Sequence, residues 1–193
     1  MRVGVLALQG SFAEHAEALR AVGASPVLVR LPEHMENLAG LIIPGGESTT
    51  IGKLLVNSGL LEPLRIALTK GMPVYGTCAG MILLARDVGG LNQPLIGVMD
   101  ISVKRNAFGR QLDSFEESLS VPSLGPEPFR GVFIRAPLIE KTGKGVIVLA
   151  TLADGRVVAA RQGSLLATSF HPELTTDSRI HRYFLGMIDG EAA

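Results

Sequence analysis

The chain contains a single cysteine, no excess of charge of either sign and no long apolar run. One cysteine cannot form an intramolecular disulfide, which favours a reducing cytoplasm as its location. The 18 lysines and arginines are matched by 18 acidic residues and form no basic stripe, so nucleic-acid binding is not the expected primary role. The apolar stretch at residues 3–8 is too short for a signal-peptide core, and no segment approaches the length of a membrane span.

The chain does have enough apolar material for a substantial core. Its 193 residues are 47% hydrophobic and 19% charged, a balance typical of globular proteins. No internal repeat or low-complexity tract interrupts it, and the Pro- and Gly-containing stretch at residues 122–128 is interpreted as a surface loop rather than a linker. We therefore expect one domain covering residues 1–193.

The first half alternates β-rich runs with helical patterns, which indicates an α/β fold with an open, mostly parallel central sheet flanked by helices. A capping box at residues 11–14 (SFAE) predicts the start of the first helix, and Gly23 predicts its end. Strands are predicted at residues 3–8, 26–30, 41–43 and 73–76, and further helices from about 50, at 60–70 and from about 79.

The second half indicates extra antiparallel strands. They are predicted at residues 96–104, 131–134, 146–152, 156–162 and 165–169, followed by a last helix at 178–188. Residues 153–155 (ADG) and 162–164 (QGS) are suitable hairpin turns. Residues 139–145 are interpreted as a loop.

The strongest chemical signal is Gly76-x-Cys78-x-Gly80 between a predicted strand and a predicted helix. This is the cysteine form of the nucleophile elbow, in which flanking glycines permit a strained backbone and close approach of strand and helix. The sulfur would lie at a helix N-terminus, where backbone dipoles favour a thiolate. The alternative is that Cys78 is only a small buried hydrophobe, the usual state of a free cysteine.

A cysteine nucleophile needs a base, and the chain has four histidines. We interpret His15, His34 and His181 as surface residues of helices and connections. His171 differs, because it follows a predicted strand and stands in His171-Pro172-Glu173. In an extended segment, residues two apart point to the same side, so Glu173 can orient the imidazole. The alternative is a turn with an acidic residue there by chance.

A third element is the loop at residues 44–48 (PGGES) after the third predicted strand. Two adjacent glycines leave backbone amides unshielded, so that an oxyanion could approach them, although an ordinary glycine-rich turn is the simpler interpretation. No Walker sequence follows, and the single cysteine and scattered histidines give no metal-ligand spacing. Ligands of parallel sheets bind beyond the carboxyl ends of strands, which is where residues 9–10, 44–48 and 76–80 are predicted to meet.

In this order, the three motifs resemble the class I (triad-type) glutamine amidotransferases, whose architecture is flavodoxin-like. More of the chain resembles the glutaminase subunits of pyridoxal 5′-phosphate synthase within that class. The segments that carry this resemblance are LQG at 8–10, PGGESTT at 44–50, GTCAG at 76–80, RNAFGRQLDSF at 105–115, FIRAP at 133–137 and SFHPELT at 169–175.

The resemblance implies a role for each matching residue. Cys78 would be the nucleophile, His171 the acid and base, and Glu173 its partner. Backbone amides of Gly46 and Ala79 would form the oxyanion hole, and Gln9 would act in activation by a partner. The residues implied to contact glutamine are Gly46, Glu47, Ser48, Arg105, Ile134 and Arg135. Composition alone cannot tell which arginine binds glutamine, because Arg105, Arg110 and Arg135 could all be salt-bridge or surface residues. No cofactor and no metal are implied.

The implied reaction is hydrolysis of L-glutamine to L-glutamate and ammonia through a cysteine thioester. The implied partner is the barrel-shaped synthase subunit, in a multi-subunit complex that makes pyridoxal 5′-phosphate from ribose 5-phosphate, glyceraldehyde 3-phosphate and ammonia. Two alternatives remain at this point. One is a different cysteine hydrolase on a similar sheet, and the other is a non-catalytic subunit that keeps the fold for interaction.

Overall fold

The computed structural model describes residues 1–105 and 114–191. In chain order its helices and strands are β1 (Arg2–Leu6), α1 (Phe12–Ala21), β2 (Ser25–Val29), β3 (Gly40–Ile43), α2 (Ser48–Asn57), α3 (Leu61–Thr69), β4 (Val74–Thr77), α4 (Ala79–Leu84), β5 (Ala85–Asp87), β6 (Met99–Lys104), β7 (Ser114–Leu119), β8 (Phe129–Ile134), β9 (Leu138–Thr142), β10 (Ile147–Thr151), β11 (Val157–Gln162), β12 (Leu165–Thr168) and α5 (Arg179–Asp189). Short 3-10 helices occupy Pro32–Met35, Pro122–Leu124 and Pro172–Leu174.

The central feature is a ten-stranded sheet with the order β2-β1-β3-β4-β12-β11-β9-β6-β5, to which β10 is added beside β11. The strands β2, β1, β3, β4 and β12 pair in parallel, whereas β11, β9 and β6 pair in an antiparallel manner. A separate two-stranded sheet joins β7 to β8. The expected α/β architecture, with extra antiparallel strands in the second half, is confirmed.

Both faces of the parallel strands are covered, which explains why these strands are apolar without alternation. Neighbouring residues of one strand point to opposite faces, so Leu41 and Ile43 pack in the same core cluster as residues of α2, α3 and α4. Ile42 points the other way and packs in the cluster that contains residues of α1 and α5. The sheet is therefore the middle layer of three. No helix of the described residues is long and apolar enough to cross a membrane.

Most predicted elements are confirmed within one to three residues, including the hairpin turns between β10, β11 and β12. The predicted loop at 139–145 is wrong, because β9 (Leu138–Thr142) runs through it. The last three residues of β9 are all exposed, so the strand shows no alternation of buried and exposed positions. It is held by pairing with β6 and β11, which are distant in sequence. β5 and β7 were not predicted. Residues 106–113, with Arg110 and most of the 105–115 segment, lie outside the described residues.

The predicted capping box is also wrong. Ser11 is the N-cap of α1, but its hydroxyl makes no capping bond and instead donates to Glu173 Oε1 at 2.6 Å. Local sequence cannot distinguish these uses of a serine, because the competing acceptor is 162 residues away.

Candidate active site

The site lies at the carboxyl ends of neighbouring parallel strands. β4 is paired with β3 on one side and β12 on the other, so the segments that follow these three strands meet at one edge. Cys78 follows β4, the glycine loop follows β3, and His171 follows β12. A cavity of about 370 Å³ opens there, which is within the usual size of small-molecule sites. Its lining residues are Gly46, Glu47, Ser48, Cys78, Ile82, Arg105, Ile134, Arg135 and His171.

Cys78 sits in a strained turn between β4 and α4. Its φ of 49° lies in the left-handed region, which a non-glycine residue adopts at a cost of roughly 1–3 kcal/mol. A Cβ on Gly80 would lie 2.0 Å from the carbonyl oxygen of Ile43, so only glycine lets α4 approach β3 this closely. Cys78 is buried, yet it lines the same cavity as His171, and its sulfur contributes to raising the pKa of that imidazole. This geometry favours the nucleophile elbow over a purely packed cysteine.

His171 and Glu173 form the hydrogen bond expected from the sequence. Glu173 Oε1 lies 2.8 Å from His171 Nδ1 and also accepts from the Ser11 hydroxyl. The expected extended backbone was wrong, because Pro172–Leu174 forms a 3-10 helix. The Glu173 side chain is fully buried, so its charge is compensated by neighbouring groups rather than by water.

The pKa values of His171 and Glu173 are both strongly shifted by their neighbours. Burial lowers the pKa of His171, but hydrogen bonds and negative charge from Cys78 and Glu173 outweigh that effect and raise it to about 10. Burial raises the pKa of Glu173, while His15, His171 and Ser11 lower it by more, to about 2. An imidazolium between a sulfur and a carboxylate is thus favoured at neutral pH.

The glycine loop is held against the two catalytic candidates by the segment after β1. A Cβ on Gly45 would lie 2.3 Å from His171 Cε1, and a Cβ on Gly46 would lie 2.4 Å from Gln9 Oε1. Gln9 Oε1 accepts the backbone N–H of Glu47 at 2.8 Å. Gln9 is therefore bonded to the loop that carries Gly46. Ala79, the other oxyanion-hole residue implied by the resemblance, is buried directly after Cys78.

The opposite wall of the cavity carries paired charges. Arg105 Nη2 lies 3.1 Å from Glu47 Oε1, and Glu47 also caps α2 by accepting from the backbone N–H groups of Thr49 and Thr50. Slight burial raises the pKa of Glu47, but the bonds from Thr50 and Thr49 lower it to about 2. Arg105 also donates to Gln93 Oε1 at 3.1 Å. One cationic and one anionic group are thus available for an amino acid's own charged ends.

Arg135 provides a second strained point on the cavity. Its φ is 44°, and it follows Ile134, whose carbonyl oxygen lies 3.9 Å from Cys78 Sγ. A left-handed backbone conformation at the end of β8, beside the sulfur, is strained, and such strain is typical of binding sites.

Two histidines are not where the sequence analysis placed them. His15 and His181 were interpreted as surface residues, but they are 0% and 1% exposed. The helical period contained the missed signal, because His15 lies four residues before buried Leu19, and His181 lies three before buried Phe184. His34 is partly exposed, as expected. Four further residues at or beside the cavity were not predicted as site residues: Ser11, Thr49, Ile82 and Gln93.

The buried histidines should make the protein less stable in mild acid. Burial lowers the pKa of His15, and burial and His15 lower that of His181 to about 3. Their contribution is complete above pH 6.5, where the unfolded chain is also neutral, and is lost as the pH falls below it. Between pH 6.5 and 4.5, the lowered pKa of His181 alone should reduce the free energy of unfolding by about 2 kcal/mol. The measurement is urea denaturation at both pH values.

Carboxylates with lowered pKa values have ordinary values of 4.5 or below, so most of their contribution is lost at pH values below this window. His181→Leu should flatten the slope, whereas His34→Gln should keep it. A wild-type stability that is constant from pH 6.5 to 4.5 would contradict the assignment of neutral buried imidazoles.

The fold and cavity define the class of protein. A solved structure described as a glutamine amidotransferase matches with a TM-score of 0.92 and 53% identity, covering 97% of this chain and 98% of that one. The model of the SNO glutamine amidotransferase family matches residues 5–190. The chain belongs to this family.

Curated relatives match along almost the whole chain. A protein of Roseiflexus sp. (strain RS-1) is 61% identical over 189 residues, covering 97% of this chain and 100% of that protein. One from Pelotomaculum thermopropionicum is 62% identical over 185 residues, covering 96% and 94%. Both are named pyridoxal 5′-phosphate synthase subunit PdxT.

Proposed function

We propose that this chain hydrolyses L-glutamine to L-glutamate and ammonia at Cys78 and supplies the ammonia to a pyridoxal 5′-phosphate synthase subunit. The observation that carries the proposal is the meeting of Cys78 with the His171–Glu173 pair on one cavity, opposite Glu47 and Arg105. Membership of a glutamine amidotransferase family supports the substrate. The names of the relatives support the pathway.

The reaction begins with attack of the Cys78 thiolate on the side-chain carboxamide carbon of glutamine. The carbonyl oxygen becomes an oxyanion, which backbone amides of Gly46 and Ala79 stabilise by roughly 3 kcal/mol per donor. The His171 imidazolium gives its proton to the leaving nitrogen, the C–N bond breaks, and ammonia departs from a glutamyl thioester. Neutral His171 then takes a proton from water, whose oxygen attacks the thioester and releases glutamate and the thiolate.

Glutamine binding uses the remaining residues of the cavity. Its carboxylate and ammonium groups pair with Arg105 and Glu47, which neutralise each other when the cavity is empty. Gly46, Ser48, Ile134 and Arg135 complete the contacts. Because Gln93 bonds Arg105, Ser48 and Thr49 together, it holds this wall in place.

The partner is required by the chemistry of the product. Ammonia released into water at neutral pH becomes mostly ammonium, which is not a nucleophile. The chain therefore works as one glutamine amidotransferase domain, in the cytoplasm, docked in a multi-subunit complex to a barrel-shaped synthase that uses ribose 5-phosphate and glyceraldehyde 3-phosphate. Gln9 links that contact to the loop of Gly46, since it bonds Glu47 N–H directly. The glutaminase itself needs no cofactor.

Adding the synthase subunit should raise glutamate release by at least about tenfold, because the partner orders the loop that carries the oxyanion donors. The measurement compares initial rates of the full chain with and without the synthase subunit. Gln9→Ala should lose most of the increase, whereas His34→Gln, away from the loop, should keep it. High activity that the partner leaves unchanged would reject the coupling but not the hydrolysis, and no glutamate in either case would reject the function.

A further inference from the structure

A chain of buried polar groups continues behind Glu173. His15 Nε2 lies 3.3 Å from Glu173 Oε2 and 3.1 Å from Thr77 Oγ1, and His15 Nδ1 lies 3.1 Å from His181 Nε2. Neither imidazole reaches solvent, and neither lines the cavity. The hydrolysis described above uses neither of them. Burying polar rings costs free energy unless their nitrogens are hydrogen-bonded, so the hydrogen-bond partners of the two imidazoles matter.

Charged and polar groups on several elements face His15. His15 is on α1 with Glu14, which acts on it electrostatically. Glu173 and His171 face it from the segment after β12, and His181 faces it from α5. From β4, Thr77 contacts it and the Tyr75 ring lies 6.4 Å away, with its hydroxyl bonded to Thr168. Glu173 Oε2 lies 3.3 Å from His15 Nε2 and has no hydrogen-bond partner among the described residues.

These contacts select one arrangement of protons. If His15 carries its proton on Nε2, the positive end of that N–H lies beside Glu173 Oε2 and donates to Thr77. Its Nδ1 then accepts the Nε2 proton of His181, and His181 Nδ1 stays an unprotonated atom without a partner. The opposite arrangement puts a lone pair of His15 beside the carboxylate and buries an unpaired N–H on His181. Orphaned buried N–H groups are rare, and the carboxylate opposes the lone pair.

We propose that His15 and His181 form a neutral imidazole pair, each protonated on Nε2, that positions Glu173 toward His171. His15 is thus a positioning residue for the reaction, and its kinetic role rests on the proposed function. Ser11 and His171 hold Oε1 of the carboxylate by hydrogen bonds, and the His15 N–H lies beside Oε2, which it attracts electrostatically without a hydrogen bond. Neutrality matters as well. A cation at His15 would compete with the His171 imidazolium for the same carboxylate.

The proton arrangement is tested on the isolated wild-type protein by long-range ¹H–¹⁵N correlation spectra of the imidazoles from pH 5 to 8. His15 and His181 should both remain neutral with the proton on Nε2, and His15→Gln and His181→Leu assign their signals. A proton on His15 Nδ1, or protonation of either ring near pH 6.5, would overturn the proposal. This readout needs no glutamine, so it stands or fails independently of the glutaminase function.

The positioning role is tested by kinetics with the synthase subunit present. His15→Leu should lower kcat for glutamate release at least tenfold with KM within about twofold, and His15→Gln should recover part of the loss because its amide can donate. Phe184→Leu, in the same core layer without a polar contact to Glu173, should keep kcat. Normal kcat in His15→Leu, no recovery in His15→Gln, or an equal loss in Phe184→Leu would refute the role. Inactive wild-type protein would instead refute the proposed function.

Discussion

Cys78→Ala is expected to reduce glutamate release by at least about 10⁴-fold, because no other group can form the thioester and loss of one member of a nucleophilic triad removes nearly all of its catalysis. The fold should remain, since the substitution removes only one sulfur atom, and that atom borders a cavity. The measurement is steady-state glutamate release in the presence of the synthase subunit.

Two controls make this result specific. A glutamine-analogue electrophile should label Cys78 of the wild-type chain and leave the variant unlabelled. The thermal midpoints of the two proteins should agree within a few degrees, which a lost sulfur atom at a cavity wall allows. Near-normal turnover of the variant would exclude the thioester, and failure of the analogue to label Cys78 would favour a different cysteine hydrolase.

Gly45→Ala should lower kcat/KM for glutamine about a hundredfold, although the substitution removes no catalytic side chain. The new Cβ would lie 2.3 Å from His171 Cε1 and 3.0 Å from Nδ1, so the imidazole or the loop must shift, which changes the position of His171 relative to the cavity. A displacement of about 1 Å in a catalytic group costs on the order of 10²-fold. The ring has little freedom to find another productive position, because Glu173 is buried and fixed.

Gly23→Ala is the matched control for backbone effects. Gly23 has a φ of 85° and no atom within 4 Å of a new Cβ, so the variant should lose roughly 1 kcal/mol of stability and keep its activity. The comparison measures kcat/KM and urea unfolding for both variants. If Gly45→Ala retains wild-type activity, the loop does not set the position of His171. If Gly23→Ala loses activity equally, stability rather than geometry is responsible.

Much of the site could be predicted because its residues lie in short motifs at strand ends. The Gly76–Gly80 turn, the loop at 44–48 and the His171–Glu173 pair each have a local pattern, and parallel strands bring their carboxyl ends to one edge. The hydrogen bond between His171 and Glu173 could be predicted from proximity in sequence alone. It forms even though the backbone there is a 3-10 helix rather than extended.

The wrong predictions share a physical cause: each of these residues or strands interacts with a partner that is distant in the sequence. Ser11 was assigned to a helix cap because its neighbours fit one, but Glu173 takes its hydroxyl. β9 has no alternating pattern of its own and exists by pairing with strands on both sides. His15 and His181 were interpreted as surface residues, although their helical spacing from Leu19 and Phe184 places them on buried faces, and their hydrogen-bond partners are distant in sequence.

The sequence by itself determined the layer architecture and which short segments carry chemistry, because apolar periodicity and glycine positions act over a few residues. Only the tertiary structure decided how Glu173 is held. Its carboxylate is reached by Ser11 and His15 from the first helix, and His181 supports His15 from the last. Buried charges must be compensated by groups that the fold brings within about 3 Å, whatever their separation along the chain.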